Sequence, residues 1–69
     1  MSKYTFLWDY IKSQDLDQLY LTFDEIEKIL GFKIDHSFLN YKKELLEYGF
    51  EVKKISLKEK KVLIIRGNL

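Results

Sequence analysis

Few side chains in this sequence could do chemistry. The 69 residues contain no cysteine and one histidine, His36. Neither a thiol–imidazole pair nor a metal site with several histidines can therefore be built from them. His36 directly follows Asp35, a good helix N-cap residue, and is most simply explained as a partly exposed histidine at the start of a helix.

Two short acidic patterns could in principle bind a metal. Glu51-Val52-Lys53 matches the E-x-K of metal-dependent nucleases, but that signature also needs an acid on a paired strand upstream and a larger sheet. Asp15 and Asp17 lack the further oxygen ligands and the glycine of a calcium loop. We therefore expect no enzyme, no metal site and no cofactor.

The charge distribution is more informative than the net charge of +1. Residues 1–32 carry three lysines and six acidic residues, a charge of −3, whereas residues 33–69 carry nine basic and five acidic residues, a charge of +4. This asymmetry favours a face that meets a polyanion. Uneven halves also arise by chance in small charged proteins, so the geometry has to decide between the two interpretations.

The bulk composition predicts one folded domain over residues 1–69. The hydrophobic content of 46% and the aromatic content of 16% are too high for a disordered segment. The longest aliphatic run, residues 62–65, is too short to cross a bilayer, and the first ten residues lack the apolar core of a signal peptide. We expect a soluble, cytoplasmic protein that does not bind membranes.

Residues 4–14 are ambiguous between strand and helix. Their aromatic residues alternate as in a strand: Tyr4, Phe6, Trp8 and Tyr10. Four apolar residues also follow the helical i, i+3, i+4, i+7 spacing: Tyr4, Leu7, Trp8 and Ile11. We predict a helix, because it gathers most of the apolar residues on one face with Asp9 and Lys12 outside.

The next elements carry clear boundary signals. After a short β-prone run at residues 19–23, Thr22 and Glu25 form a capping box that starts a helix closed by Gly31. We expect its inner face to be formed by Phe23, Ile26, Ile29 and Leu30.

Asp35 then predicts a third helix from His36 to Tyr48, ended by Gly49. At 100° per residue its apolar side comprises Phe38, Leu39, Tyr41, Leu45, Leu46 and Tyr48. The opposite side comprises His36, Ser37, Asn40, Lys43, Glu44 and Glu47. Lys42 falls inside the apolar arc and should extend its ammonium outward.

Residues 50–66 are typical of two strands joined by a lysine-rich turn. Phe50 and Val52 share one alternation register, and Ile55 and Leu57 share the other, which predicts a β-bulge or a strong twist near Lys53 and Lys54. The return strand at residues 62–66 is nearly all aliphatic and should be the better buried of the two.

This order of elements, α-β-α-α-β-β, resembles the winged helix-turn-helix superfamily. The resemblance rests on "YLTFDEIEKILG" as strand and first helix, "DHSFLNYKKELLEYG" as recognition helix and "FEVKKISLKEKKVLIIR" as wing, and it covers residues 4–66. "LTFDEIEKILG", "GFEV" and "VLIIR" are also similar to short uncharacterised bacterial domains. The expected fold is α+β and winged helix-like, with three helices, a short strand and a C-terminal β-hairpin.

The resemblance implies a small protein that binds double-stranded DNA, as a transcriptional regulator or accessory factor. Its third helix would enter the major groove, and its wing would contact the DNA backbone. The residues implied in binding are His36, Ser37, Asn40, Lys43, Lys53, Lys54, Lys58, Lys60, Lys61 and Arg66. Two observations argue against DNA binding. Lysines at a hairpin turn also protect a sheet edge from aggregation. The chain has a single arginine, whereas proteins that recognise specific bases commonly use several.

Winged helices also serve as protein-interaction modules, and a fold alone does not choose between these functions. The aromatic surplus of the first helix predicts side chains that so small a domain cannot all bury. The candidate interface residues for a homodimer or another protein partner are Tyr4, Phe6, Trp8 and Tyr10.

Overall fold

The computed structural model describes residues 2–67 as an α+β fold with three helical stretches and one three-stranded antiparallel sheet. The elements are α1 (Thr5–Gln14), β1 (Gln18–Thr22), α2 (Phe23–Leu30), α3 (Ser37–Tyr41) with a 3₁₀ continuation (Lys42–Tyr48), β2 (Phe50–Ser56) and β3 (Lys61–Arg66). The predicted α+β class is confirmed, and the order of elements agrees with the prediction apart from the 3₁₀ continuation. No helix in residues 2–67 is long and apolar enough to cross a membrane.

The sheet has the order β1-β3-β2, so β3 is its central strand. Leu19 and Leu21 of β1 lie opposite Ile64 and Val62 of β3. Leu63 and Ile65, on the opposite face from Val62 and Ile64, are half-buried, so this strand removes apolar side chains from water on both of its faces. Val62 and Ile64 are buried, and the prediction that this strand is the better buried one is confirmed.

The predicted β-bulge is present at Lys53. Val52 lies opposite Ile64 and Lys54 lies opposite Leu63, so Lys53 is the extra residue on β2. Without the extra residue, strict alternation would turn Ile55 away from the side that Val52 faces. With it, Val52 and Ile55 both pack against the core.

The helical interpretation of α1 is confirmed, with Tyr4, Leu7, Trp8 and Ile11 all buried. Tyr4 lies at the centre of an aromatic cluster made of Tyr4, Trp8, Phe32, Phe38 and Tyr41, in which its ring centroid is 5.7 to 5.9 Å from each of the others. The expectation that Tyr4 and Trp8 are exposed at an interface is therefore wrong. Phe6 is 73% exposed, and Tyr10 is half-buried.

Both signals that bound α2 are confirmed. The Thr22 hydroxyl accepts a hydrogen bond from the Glu25 N–H at 3.1 Å, and the Glu25 carboxylate accepts one from the Thr22 N–H at 3.0 Å. Gly31 ends the helix at a φ of 84°, a left-handed conformation that glycine adopts without strain. Of the four residues expected to face inward, Ile26 is buried, while Phe23, Ile29 and Leu30 are half-buried.

The prediction of one continuous α-helix from His36 to Tyr48 is wrong beyond Tyr41, where the chain tightens into the 3₁₀ segment. A 3₁₀ turn has three residues, so positions three apart share a side. Lys42, Leu45 and Tyr48 accordingly form its inner side, with Leu45 buried. The helical wheel placed three residues inside that are exposed: Leu39, Tyr41 and Leu46.

Candidate nucleic-acid interface

The start of α3 and the tip of the β2–β3 hairpin lie on the two sides of one open groove of about 430 Å³. This helix–hairpin groove is lined by Phe23, Ile34, Asp35, His36, Phe38, Leu39, Ile55 and Leu57. Its lining is largely apolar. The groove brings together the start of α3 and the hairpin tip, which are some twenty residues apart in the sequence. Both regions were predicted from the sequence to contact DNA.

The start of α3 is held by polar bonds to α1. One oxygen of Asp35, Oδ1, accepts hydrogen bonds from the backbone N–H of Ser37 at 2.9 Å and from its hydroxyl. The Ser37 hydroxyl also lies 2.7 Å from the hydroxyl of Tyr4. The bonds from Ser37 lower the pKa of Asp35 to about 2, so the carboxyl is ionised at neutral pH. The predicted contact residue Ser37 is thus half-buried and already bonded within the chain.

The side of this helical stretch that points to solvent carries His36, Asn40 and Lys43, all exposed. Glu44, predicted on the same side, instead turns inward. Its Oε1 accepts hydrogen bonds from the Ser2 hydroxyl and, at 3.0 Å, from the indole N–H of Trp8. These two bonds lower the pKa of Glu44.

The hairpin turn at residues 57–60 is fixed at both ends. The Ser56 hydroxyl accepts a hydrogen bond from the Glu59 N–H at 3.1 Å, and the Lys60 carbonyl accepts one from the Phe23 N–H at 2.8 Å. Lys60 has a left-handed φ of 55°, which closes the turn. Lys58 and Lys60 are exposed at the tip beside Leu57, which is 78% exposed.

Two of the predicted contact lysines lie on the other face of the sheet. Lys54 and Lys61 border a shallow pocket of about 110 Å³ together with Tyr20, Ser56, Glu59 and Leu63. The ammonium of Lys61 is 2.8 Å from a carboxylate oxygen of Glu59 and 4.8 Å from the centroid of the Tyr20 ring. Its bond with Glu59 raises the pKa of Lys61 and neutralises its charge locally. Lys53 is exposed at the bulge.

Arg66 lies at the opposite end of β3 from the hairpin turn, roughly 17 Å along the strand from Lys61. Its guanidinium binds the carboxylates of Asp17 at 2.7 Å and Asp15 at 3.0 Å, and stacks over the ring of Phe50. These bonds raise the pKa of Arg66. Arg66 thus connects the α1–β1 loop to the sheet, a role with no local signal because the partners are about fifty residues apart.

Metal-binding geometry is not found in the described part of the chain. Within residues 2–67, no three histidine, aspartate or glutamate side chains are grouped so that they could hold an ion. Asp15 and Asp17, the acidic pair noted in the sequence, both bind Arg66 instead.

Known proteins give no direct comparison for this surface. No protein-family model matches the chain, and no curated protein and no solved structure is detectably similar to it. The function of the groove has to be argued from its own residues.

Proposed function

We propose that this chain is a small DNA-binding protein of the winged-helix type, acting as a transcriptional regulator or an accessory factor. One observation carries the proposal: the start of α3 and Leu57, the first residue of the hairpin turn that also bears Lys58 and Lys60, line the two sides of a single groove. In this arrangement α3 enters the major groove of a duplex while the turn contacts the adjacent backbone or minor groove.

Unpaired lysines on the third helical stretch and on the hairpin support the proposal. Lysines at four exposed positions have no ion-pair partner within residues 2–67: Lys43, Lys53, Lys58 and Lys60. Glu44 turns inward to Trp8, which leaves Glu47 as the exposed acid of the 3₁₀ segment. The ionised Asp35 at the start of α3 and Glu59 in the turn are also exposed, but each is bonded within the chain. If these lysines each neutralise one phosphate, the logarithm of the binding constant falls with the logarithm of salt at a slope of about −3 to −4.

The other predicted contacts have smaller roles in this proposal. Lys61 and Arg66 are already paired with carboxylates, and Lys54 lies on the face away from α3. Asn40 is the residue best suited to read a base, because its amide can bond adenine in a bidentate manner. Replacing Asn40 by alanine should reduce discrimination between sequences more than overall affinity.

The proposal is tested by an NMR titration of labelled protein with a mixed-sequence duplex, at low and then moderate salt. We expect salt-sensitive amide shifts concentrated in residues 36–43 and 53–60. Lys58→Ala/Lys60→Ala should weaken binding to every duplex and reduce the salt slope by about 2.

The matched control is Lys12→Ala/Lys28→Ala, which removes the same charge from exposed positions in the acidic half. This control should bind like the parent chain. Equal losses in the two double variants would assign the effect to net charge and would contradict the role given to the hairpin. Absence of shifts at low salt would overturn the proposal as a whole.

A second candidate function, a protein-interaction module, is favoured by the exposure of Phe6 on α1. Of the four aromatics of that helix it alone is largely exposed. A homodimer through this helix face predicts self-association that Phe6→Lys abolishes. A clean monomer in sedimentation at high micromolar concentration would exclude the homodimer, which could otherwise coexist with DNA binding.

A further inference from the structure

The tip of the hairpin presents an apolar side chain where a turn normally presents polar ones. Leu57 is the first residue of the turn, and at 78% exposure it is the most exposed large apolar side chain in residues 2–67. Leucine has no role in turn formation, unlike glycine, asparagine, aspartate or serine. The turn is instead closed by Ser56 and by the left-handed Lys60.

Leu57 is also held in a fixed place. The strands on either side of the turn are paired up to Ser56 and Lys61, and the Lys60 carbonyl is anchored to the backbone at the start of α2. The backbone that carries Leu57 is thus positioned before any partner arrives. Its placement therefore costs little ordering entropy on binding.

The neighbours of Leu57 indicate which partner would cover it. Lys58 and Lys60 follow it in the turn, both exposed and without an ion-pair partner in the described part of the chain, and Glu59 between them is paired with Lys61. An apolar tip with unpaired cations beside it suits a target in which apolar material lies next to negative charge. The minor groove of a duplex is such a target, because stacked bases lie between two phosphate backbones.

We propose that Leu57 is a wedge that the hairpin inserts between two stacked base pairs from the minor groove, so that the bound duplex is bent. The inference rests on the proposed function and adds to it a mode of recognition. Lys58 and Lys60 would bind phosphates on either side of the opened step. Pyrimidine–purine steps such as TA unstack most easily, so the protein would prefer sites that contain one near the hairpin.

The test uses two measurements on the whole chain at low salt. The first is energy transfer between fluorophores at the two ends of a 20-base-pair duplex with a central TA step; bending brings the ends closer. The second is the NMR shift of leucine methyl groups, because methyls inserted between bases move strongly upfield. We expect a shortened duplex and an upfield shift at Leu57 that is absent at Leu16, an exposed leucine of the α1–β1 loop.

Leu57→Ala should retain salt-sensitive binding, weakened about tenfold, and should lose the shortening. Leu16→Ala is the matched control and should behave like the parent. Leu57→Phe should restore bending, because an aromatic ring can also act as a wedge.

The outcomes separate the two proposals. Binding with a straight duplex, or bending that survives in Leu57→Ala, overturns the wedge and leaves DNA binding intact. No binding to any duplex overturns both. Self-association that Leu57→Ala abolishes would show that the tip serves a protein interface, and would also overturn the wedge.

Discussion

The aromatic cluster and the helix–hairpin groove are both built from large apolar side chains, but the centre of the cluster is buried whereas the groove is open. In the cluster, Tyr4 and Trp8 are buried, and each directs its polar atom to a partner: Ser37 for the hydroxyl and Glu44 for the indole N–H. In the groove, Leu39 and Leu57 stay largely exposed. The same short helix contributes to both regions, because Phe38 packs in the cluster and also lines the groove.

The difference shows that the open groove does not result from a poor core. Within residues 2–67, every buried side-chain polar atom has a hydrogen-bond partner. A chain that buries a tryptophan and a tyrosine and gives each polar atom a hydrogen-bond partner can also bury leucines. Leu39 and Leu57, left open at the groove, are the side chains that the proposed partner would cover.

The largest effect should separate two adjacent leucines of the 3₁₀ segment. Leu45 has no exposed surface, whereas Leu46 is 44% exposed. Leu45→Ala should lower the free energy of unfolding by about 2–5 kcal/mol, because it leaves a cavity in the core. Leu46→Ala should change it by less than about 0.5 kcal/mol. Urea unfolding followed by circular dichroism measures both, and similar losses would mean that residues 42–48 form an α-helix after all.

The next effect concerns the polar bond that completes the aromatic cluster. Glu44→Ala leaves the buried indole N–H of Trp8 without an acceptor, which should cost about 1–3 kcal/mol. Glu44→Gln keeps an oxygen acceptor and should cost less. Since Trp8 is the only tryptophan, its fluorescence reports directly on this site. Equal stability of the two variants would show that the bond contributes little.

The same bond predicts a pH dependence. The pKa of Glu44 is lowered in the folded chain, so the folded state binds fewer protons than the unfolded state as the solution is acidified. Its contribution to stability is present above pH 4.5, the ordinary pKa of glutamate, and is lost as the pH falls below it. Asp35 adds a similar loss between pH 4 and about 2. Glu44→Gln should flatten the first part of this dependence, and an unchanged profile would contradict the assignment.

Glu44 and Arg66 mark the limit of what the sequence could predict. Features set by neighbouring residues were predicted correctly: the capping box at Thr22, the ends at Gly31 and Gly49, and the bulge at Lys53. Features set by distant partners were not, because no local pattern encodes them. Glu44 turns inward because Trp8, thirty-six positions earlier, offers a donor, and Arg66 is neutralised by a loop about fifty positions away.

In the candidate site, too, some features could be predicted from neighbouring residues and others could not. The exposure of Asn40 and Lys43 agrees with the helical wheel. The wheel failed at Leu39 and Tyr41 within α3 and at Leu46 in the 3₁₀ segment, where the period changes from 3.6 to three. The groove between α3 and the hairpin depends on how β3 brings the turn back beside α2, through the Lys60–Phe23 backbone bond. No spacing in the sequence specifies that contact.

A smaller effect is expected at the capping box, which lies beside the groove but outside both apolar regions. Thr22→Ala removes the hydroxyl that accepts the Glu25 N–H bond and should cost about 1 kcal/mol, whereas Thr22→Ser should be nearly neutral. Thermal unfolding of the two variants measures the difference. A much larger loss in Thr22→Ala would mean that the start of α2 also holds the hairpin through Phe23.

The smallest effect on stability should come from the exposed leucines of the groove. Leu39→Ala and Leu57→Ala should each change the free energy of unfolding by less than about 0.5 kcal/mol, because little apolar surface is lost from the core. Yet Leu57→Ala should be among the variants that most impair duplex bending. A residue whose removal leaves the fold intact and abolishes a binding property is maintained for the partner. If Leu57→Ala instead destabilised the chain as Leu45→Ala does, the groove would be part of the core, and the contrast drawn here would fail.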